Sequence, residues 1–146
     1  MREDKSNQEL KVAFFAHYSG IYGANQSLST LIRGLKSEGV KPVVFLPSRG
    51  PMFTHLSRQK VDCEVLPYEL WMAPPRGWLL APLRLWKNWR IRPLIRQRLI
   101  ALRPDLVHSN SSVLGIGMKV ASDLKLPHVW HLREFAWEAF GMRPDL

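Results

Sequence analysis

Three short polar segments, residues 17–20, 109–111 and 131–134, each follow an apolar run and carry side chains that could do chemistry. They hold imidazole, hydroxyl, amide and guanidinium groups, which hydrogen-bond to polar or anionic ligands. The first segment runs through a turn, Gly20-Ile-Tyr-Gly23, into a predicted helix. Because the free N–H groups and the dipole of a helix N-terminus favour phosphate, this turn predicts an anion site. A plain tight turn is the alternative.

The turn does not match the common nucleotide-cofactor patterns. Its glycines are spaced Gly20-x-x-Gly23 rather than in the three-glycine pattern, and the next strand ends in Leu46-Pro47 rather than in an acid that would bind a ribose. No Gly-Lys-Ser/Thr sequence is present. NAD binding, dinucleotide-dependent oxidoreduction and ATP hydrolysis are therefore disfavoured. A single cysteine, Cys63, excludes a disulfide framework and a multi-cysteine zinc site, and we expect neither a metal nor a cofactor.

The elements that must position these segments alternate along the chain. Apolar runs predict strands over 11–17, 42–46, 62–66, 104–109 and 128–131, and helical spacing predicts helices over 25–38, 53–59 and 112–124. Gly39 is expected to end the first helix, and Pro93 to begin a further helix that includes Ile95 and Leu99. This alternation predicts a Rossmann-like, three-layer α/β domain with a mostly parallel sheet over 11–146, preceded by a tail over 1–10. In such a sheet the carboxyl ends of the strands meet at one edge, which brings the three segments together.

Three blocks in this order resemble the N-terminal domain of glycosyltransferase family 4, retaining enzymes of the GT-B architecture. They are SGIYGANQSL at 19–28, LRPDLVHSN at 102–110 and PHVWHLRE at 127–134. The blocks are similar to the family's glycine-rich loop and first helix, its RPDxVHxN strand and its PxVxH strand. The order and intervals match over residues 11–140.

The resemblance implies transfer of a sugar from a nucleotide-sugar donor to an acceptor, with retention at the anomeric carbon. Gly23, with Gly20, would meet the donor's diphosphate. His131 would be the catalytic-site histidine, acting by hydrogen bonding and charge stabilisation, with a structural histidine as the alternative. The side chains expected at the acceptor-side cleft are Ser19, Tyr22, His108, Asn110 and Glu134. His108 could equally be a buried structural histidine, Glu134 a capping or ion-pairing residue, and His17 either a cleft residue or the end of its strand.

The family's paired-glutamate motif belongs to a C-terminal donor-binding domain, and neither occurs in this sequence. We therefore expect the chain to be truncated before that domain and inactive in transfer by itself. The alternative is a stand-alone, non-catalytic module that binds a phosphorylated ligand or a protein partner.

The net charge of +9 is concentrated in one interval. No acidic residue lies between Glu69 and Asp105, where eight bases occur, and the remaining 13 bases nearly balance the 12 acids. Four of the six tryptophans lie in or beside this interval. Because cations beside indoles suit an anionic membrane surface, we assign membrane contact to Arg84, Trp86, Lys87, Trp89 and Arg90. A solvated or interdomain face is the alternative, and the lack of a recognition motif argues against nucleic acid.

The charged N-terminus shows no signal peptide, and no apolar stretch reaches the roughly 20 residues that span a bilayer. We expect a cytoplasmic protein, with peripheral contact at the inner face of the membrane as a hypothesis. Such contact would suit a glycan or lipid-linked acceptor, a precursor of the cell envelope or of a polysaccharide.

Overall fold

Apolar runs rich in β-branched and aromatic residues form the five strands of the main sheet. A computed structural model describes residues 9–133 and 141–144. The strands are β1 (Lys11–Ala16), β2 (Lys41–Leu46), β3 (Asp62–Val65), β5 (Leu106–Asn110) and β6 (His128–Trp130), while β4 (Met72–Ala73) pairs with β7 (Arg143–Pro144) in a small antiparallel sheet. All five predicted strands are confirmed, with bounds that differ by a few residues.

The helices alternate with these strands. They are α1 (Gly23–Ser37), α2 (Pro51–Arg58), α3 (Ala81–Leu102) and α4 (Ile116–Leu124), and a 3-10 helix (Pro75–Leu80) leads into α3. Gly39 follows the end of α1 with a φ of 83°, a left-handed conformation that suits glycine, as predicted. Helix α4 begins four residues later than predicted. The backbone N–H and the indole N–H of Trp71 donate to the carbonyls of Val113 and Ser112, which keeps this segment out of the helix.

The sheet order is β3-β2-β1-β5-β6, and every pairing in it is parallel. The chain builds outward from β1 to β3 and then returns to the other side of β1 through β5. The order therefore reverses between β1 and β5, and ligands of open α/β sheets bind beyond the carboxyl ends of the strands at such a reversal. This arrangement confirms the predicted Rossmann-like fold.

Alternate residues of β1 point to opposite faces of the sheet and enter two separate cores. Ala13 and Phe15 belong to the core under α3 and α4, whereas Val12, Phe14 and Ala16 belong to the core under α1 and α2. The domain thus has three layers, with the sheet between two pairs of helices.

The prediction that a helix begins at Pro93 is wrong. Pro93 lies inside α3, which begins twelve residues earlier at Ala81, and Pro82 occupies the first turn instead. A proline within a helix removes its own N–H, so the carbonyl of Trp89 loses its usual donor. Packing holds the helix together on both sides of Pro93, because Arg92 pairs with Asp123 of α4 and Ile95 is fully buried.

Tyr68 joins the carboxyl ends of the neighbouring strands β1 and β2. Its hydroxyl lies 2.6 Å from the carbonyl oxygen of Ala16 and 2.7 Å from that of Phe45, and the side chain is buried. Burial raises the pKa of this phenol well above its ordinary value, so it stays protonated. Its single O–H proton can therefore be donated to either of these carbonyls, at the sheet edge where the candidate site lies.

Candidate functional site

The reversal between β1 and β5 places the first two polar segments side by side. Ala16 pairs with Asn110 in the sheet register, so His17 and Ser111 follow at neighbouring strand ends. The third segment joins them on the other side of β5, where the backbone N–H of His131 donates to the carbonyl of Ser109 at 2.9 Å. The fold therefore brings together the three segments that the sequence indicated.

The N-terminus of α1 opens toward this edge. Its N-cap residue is Tyr22, which supplies no side-chain cap, and the first turn holds no acidic residue. The N–H groups of Asn25 and Gln26 both donate to the Tyr22 carbonyl, at 2.8 and 2.9 Å. The amides of Gly23 and Ala24 are the ones at the helix start without an intrahelical acceptor, which gives the geometry of an anion site.

Asn25 shapes the loop that precedes the helix. Its Nδ2 donates to the carbonyls of Tyr18 and Gly20, at 2.8 and 2.7 Å, and the side chain is fully buried. Gly20 is required sterically, because a Cβ there would lie 2.6 Å from the ring of Tyr22. At Gly23, by contrast, a Cβ would meet no atom of the described residues within 4 Å. Gly20 therefore sets the path of the loop, whereas Gly23 borders open space.

A cavity of about 360 Å³ occupies this open space. Gly23 and Ala24 line it together with His17 and Tyr18 from the end of β1, and Leu70, Val113 and Met142 close the other side. Desolvation by burial lowers the pKa of His17 to about 4, and Arg133 adds to this effect. His17 is therefore neutral at pH 7. Its Nδ1 is buried without a hydrogen-bond partner among the described residues.

His108 of β5 and His131 after β6 pack against each other, with their ring centroids 5.8 Å apart at a steep angle. His108 is only 6% exposed, and burial, with His131 and Arg133 nearby, lowers its pKa to about 4. Desolvation, together with the charge of Arg133, lowers the pKa of His131 as well. The neutral imidazole of His131 can donate or accept a hydrogen bond, which is the chemistry that the resemblance implies for it.

Arg133 connects the third segment to the first. Its Nε donates to Oδ1 of Asn110 at 2.8 Å, and its Nη1 donates to the hydroxyl of Ser27 on α1. Asn110 in turn donates from Nδ2 to the carbonyl of Ala24 at 3.1 Å. The buried amide of Asn110 thus contacts the first turn of α1, and Arg133 brings a cation to the strand ends.

The remaining residues predicted for the cleft have different surroundings. The hydroxyl of Ser19 lies 2.6 Å from that of Ser48, on the side toward α2. Tyr22 is 69% exposed, and its ring stacks on that of Tyr18 with centroids 5.8 Å apart. Glu134 lies outside the described residues.

The basic interval folds into the 3-10 helix and α3. There, some of its bases form ion pairs with acidic residues from other parts of the fold. Lys87 pairs with Glu69 at 2.8 Å, while Arg92 and Arg98 pair with Asp123 and Glu64. Arg90 lies over the ring of Trp86 at 5.0 Å, and the half-buried Arg84 donates to the carbonyl of Gly77 at 2.9 Å. Beside these bases the surface exposes large apolar side chains, namely Leu79, Leu80, Leu83, Trp86 and Trp89.

The described part of the chain contains neither a cluster of metal ligands nor a membrane-spanning helix. No group of three or more His, Cys, Asp or Glu side chains is placed there so that it could hold a metal ion. None of the helices in the same part has the length and the apolar character that crossing a bilayer would need.

The glycosyl transferase 4-like domain family matches residues 22–145, which is most of the chain. The chain belongs to this family. A search of curated proteins found no match. Among solved structures, the domain is similar to HepE of Anabaena in complex with UDP, with a TM-score of 0.64 and 20% identity over 90% of this chain and 32% of that one.

Two other solved structures share the fold. HepE in complex with UDP-glucose has a TM-score of 0.61 and 20% identity, covering 86% of this chain and 29% of that one. MurG of Acinetobacter baumannii has a TM-score of 0.63 and 16% identity, covering 84% of this chain and 35% of that one. This glycosyl transferase 4-like domain therefore spans about a third of the length of the solved structures that it matches. The likeness confirms the GT-B type of Rossmann-like fold.

Asn25 was missed by sequence reasoning as a site residue of the glycosyl transferase 4-like domain, and Arg133 was noted at the sheet edge without a specific role beyond an ion pair with Glu134. An asparagine two residues after the loop glycine was a usable signal, because asparagine side chains bind nearby backbone groups. His128, whose Nε2 lies 2.9 Å from the hydroxyl of Ser109, was also missed. No local pattern distinguishes it from any other histidine in a strand.

Proposed function

We propose that this chain is the acceptor-side half of a retaining glycosyltransferase that moves a sugar from a nucleotide-sugar donor to an acceptor. The observation that carries the proposal is the uncapped N-terminus of α1, which lines one cavity with His17 at the reversal of the sheet order. The complex of HepE with UDP-glucose supports a nucleotide sugar as the donor. The donor's diphosphate would accept hydrogen bonds from the amides of Gly23 and Ala24.

The surrounding side chains would divide the remaining work. A neutral His131 would hydrogen-bond to the transferred sugar or its phosphate, and Arg133 would stabilise negative charge that develops on the leaving diphosphate. A second domain would hold the nucleotide and exclude water from the cleft. In this proposal the 146-residue chain binds a diphosphate weakly and transfers no sugar by itself.

A titration of the isotope-labelled chain with UDP tests the anion site. We expect UDP to shift the amide signals of Gly23, Ala24 and Asn25. The Gly23→Ala variant should fold normally, since a Cβ there meets no atom of the described residues within 4 Å, yet its methyl group enters the cavity and should weaken UDP binding several-fold. Gly34→Ala is the matched control, because a Cβ there also meets nothing and Gly34 lies farther along the same helix.

Two outcomes would contradict the proposed anion site. Either UDP shifts signals that lie away from the start of α1, or the Gly23→Ala and Gly34→Ala variants bind UDP equally well. The melting temperatures of both variants separate a lost binding site from a lost fold.

The acceptor would be a cell-envelope or polysaccharide precursor presented at a membrane surface. The support is the surface of the 3-10 helix and α3, where Leu79 is 92% exposed and Trp86 50% exposed beside Arg76 and Arg90. An exposed apolar group rimmed by cations suits the interface of an anionic bilayer, since leucine and indole side chains enter the headgroup layer while the cations meet phosphates.

Flotation with vesicles tests this contact. The chain should float with vesicles that contain phosphatidylglycerol and stay behind with pure phosphatidylcholine. The double variant Arg76→Glu, Arg90→Glu should lose flotation, and the variant Leu79→Asn should weaken it. The control is Arg33→Glu, Arg58→Glu, which makes the same charge change at exposed sites on α1 and α2. Equal loss in both charge variants would mean that only net charge matters and would remove the assignment to α3.

A further inference from the structure

A second cavity lies next to the cavity that Gly23 lines. Leu70 and Val113 line the first cavity, while Trp71 and Gly115 line the second, which measures about 220 Å³. The backbone N–H of Trp71 donates to the carbonyl of Val113 at 3.1 Å, so a hydrogen bond joins the two segments that separate the cavities. The second cavity opens between α3 and α4, and therefore lies between the proposed membrane-facing helix and the proposed cleft.

One wall of this second cavity is a fixed tryptophan. The indole N–H of Trp71 donates to the carbonyl of Ser112 at 2.8 Å, and its ring packs 5.6 Å from that of Trp130. Gly115 leaves no spare room, since a Cβ there would lie 2.9 Å from the Trp71 ring. Trp89, the other aromatic lining residue, is 70% exposed. Rigid indoles offer large apolar surfaces at low entropic cost, and the C–H face of a sugar ring packs on such surfaces.

The charge in this cavity is entirely positive. Arg92 and Lys119 line it, and no acidic side chain does so among the described residues. Arg92 is already paired, because its guanidinium donates two hydrogen bonds to the carboxylate of Asp123. Lys119 is exposed on the first turn of α4, where its backbone N–H donates to the carbonyl of Gly115, and its ammonium group makes no hydrogen bond or ion pair with the described residues. Its ammonium group is therefore available to an anion, beside two indole rings.

We propose that this second cavity is an acceptor subsite for a sugar ring that carries an anionic group, either a carboxylate or a phosphate. The proposal rests on the proposed glycosyltransferase function, because it places part of the acceptor on the way from the membrane to the cleft. The sugar ring packs on Trp71 and Trp89, and its anion pairs with Lys119. A uronic sugar within a glycan and a phosphorylated sugar of a lipid headgroup share this chemistry.

A titration followed by the indole N–H signals of Trp71 and Trp89 and the amide signals of Ile116 and Lys119 tests the subsite. The probes are glucuronate, glucose 1-phosphate, glucose and inorganic phosphate. We expect both anionic sugars to shift these signals, and glucose and phosphate to bind several-fold more weakly, because each offers only half of the recognised chemistry. Stronger binding of glucuronate indicates a uronic acceptor, and stronger binding of glucose 1-phosphate indicates a phosphorylated one.

The matched variants are Lys119→Gln and Lys41→Gln. Lys41 is also exposed but lies at the opposite edge of the sheet, at the start of β2. Lys119→Gln should reduce the affinity for an anionic sugar several-fold, to that for glucose, whereas Lys41→Gln should leave it unchanged. Trp89→Ala should weaken the binding of all three sugars. Melting temperatures are expected to be the same for the wild type and all three variants, because Trp89, Lys119 and Lys41 are exposed.

The proposal is overturned if neither anionic sugar shifts the four signals, or if Lys119→Gln and Lys41→Gln bind equally. The UDP titration at Gly23 keeps this result separate from the proposed function. If UDP shifts the amide signal of Gly23 and no sugar shifts the four signals at the second cavity, only the proposed acceptor subsite is refuted. If the second cavity binds anionic sugars and UDP does not shift the amide signal of Gly23, the proposed donor site is refuted instead.

Discussion

Arg133 donates a hydrogen bond from its Nε to the buried Oδ1 of Asn110 at 2.8 Å, and this contact joins the end of β6 to the end of β5. Through Nη1 the same guanidinium reaches Ser27 on α1. The planar fork of arginine can hold two acceptors at once in a fixed geometry, which the single ammonium of lysine cannot reproduce. The position of the α1 N-terminus, and with it the candidate anion site, depends on this fork.

Replacing Arg133 with lysine should therefore loosen the start of α1. We expect the free energy of unfolding in urea to fall by about 1.5–3 kcal/mol, the order of one lost hydrogen bond to a charged group. The affinity for UDP should fall several-fold at the same time. Arg33→Lys, at an exposed position of α1, is the control, and equal stability of the two variants would show that the fork is not needed.

A carboxylate side chain in place of Asn25 should destabilise the domain. In Asn25→Asp the two carbonyls of Tyr18 and Gly20 would face an acceptor instead of the amide donor, inside a buried site. We expect a loss of about 2 kcal/mol or more at neutral pH. The deficit should shrink as the pH falls, because a protonated carboxyl can donate to one of the carbonyls. Unfolding in urea at two pH values measures this, with the exposed Gln26→Glu as control. A deficit that does not depend on pH would contradict the explanation.

Two glycines inside helices should respond to alanine in opposite directions. At Gly117 of α4 a Cβ would lie 2.4 Å from the hydroxyl oxygen of Ser109 and 3.2 Å from the ring of Phe15, whereas at Gly34 of α1 it would meet no described residue within 4 Å. Gly117→Ala should destabilise the domain by about 1–3 kcal/mol through overpacking. Gly34→Ala should stabilise it by roughly 0.5–1 kcal/mol, because alanine loses less backbone entropy in a helix. Thermal unfolding of the two variants measures both, and a shift of the same sign would refute the packing argument.

The domain should lose stability as the pH falls from about 6.5 toward 4. Burial lowers the pKa of both His17 and His108 to about 4, so between that value and their ordinary pKa the unfolded chain binds more protons than the folded one. Stability therefore rises with pH in this window and is fully present above it. We expect the melting temperature to fall by roughly 5–10 °C across the window.

The double variant His17→Gln, His108→Gln identifies the source of this dependence. Glutamine keeps a polar side chain but does not titrate, so the melting temperature of the variant should change less with pH between about 4 and 6.5. If the wild type and the variant lose the same number of degrees, the two histidines do not control the acid sensitivity.

Local sequence was sufficient to predict the alternating strands and helices of this protein. Runs such as Val12–Ala16 are apolar at every position, since both faces of a parallel strand are covered, and this pattern is visible without the fold. The alternation of strands and helices then predicted the parallel sheet, and the motifs around Gly23, Asn110 and His131 predicted the edge where the candidate site lies.

Tertiary structure decided what those side chains do. The amide of Asn110 lies between Arg133 and the Ala24 carbonyl, and those partners are 23 and 86 residues away in the chain. Likewise Pro93 continues α3 instead of beginning it, because contacts with α4 such as the ion pair between Arg92 and Asp123 hold the helix on both sides of the proline. Periodicity and capping preferences report energies within a few residues, whereas hydrogen bonds and packing between distant segments exist only once the sheet order has brought those segments together.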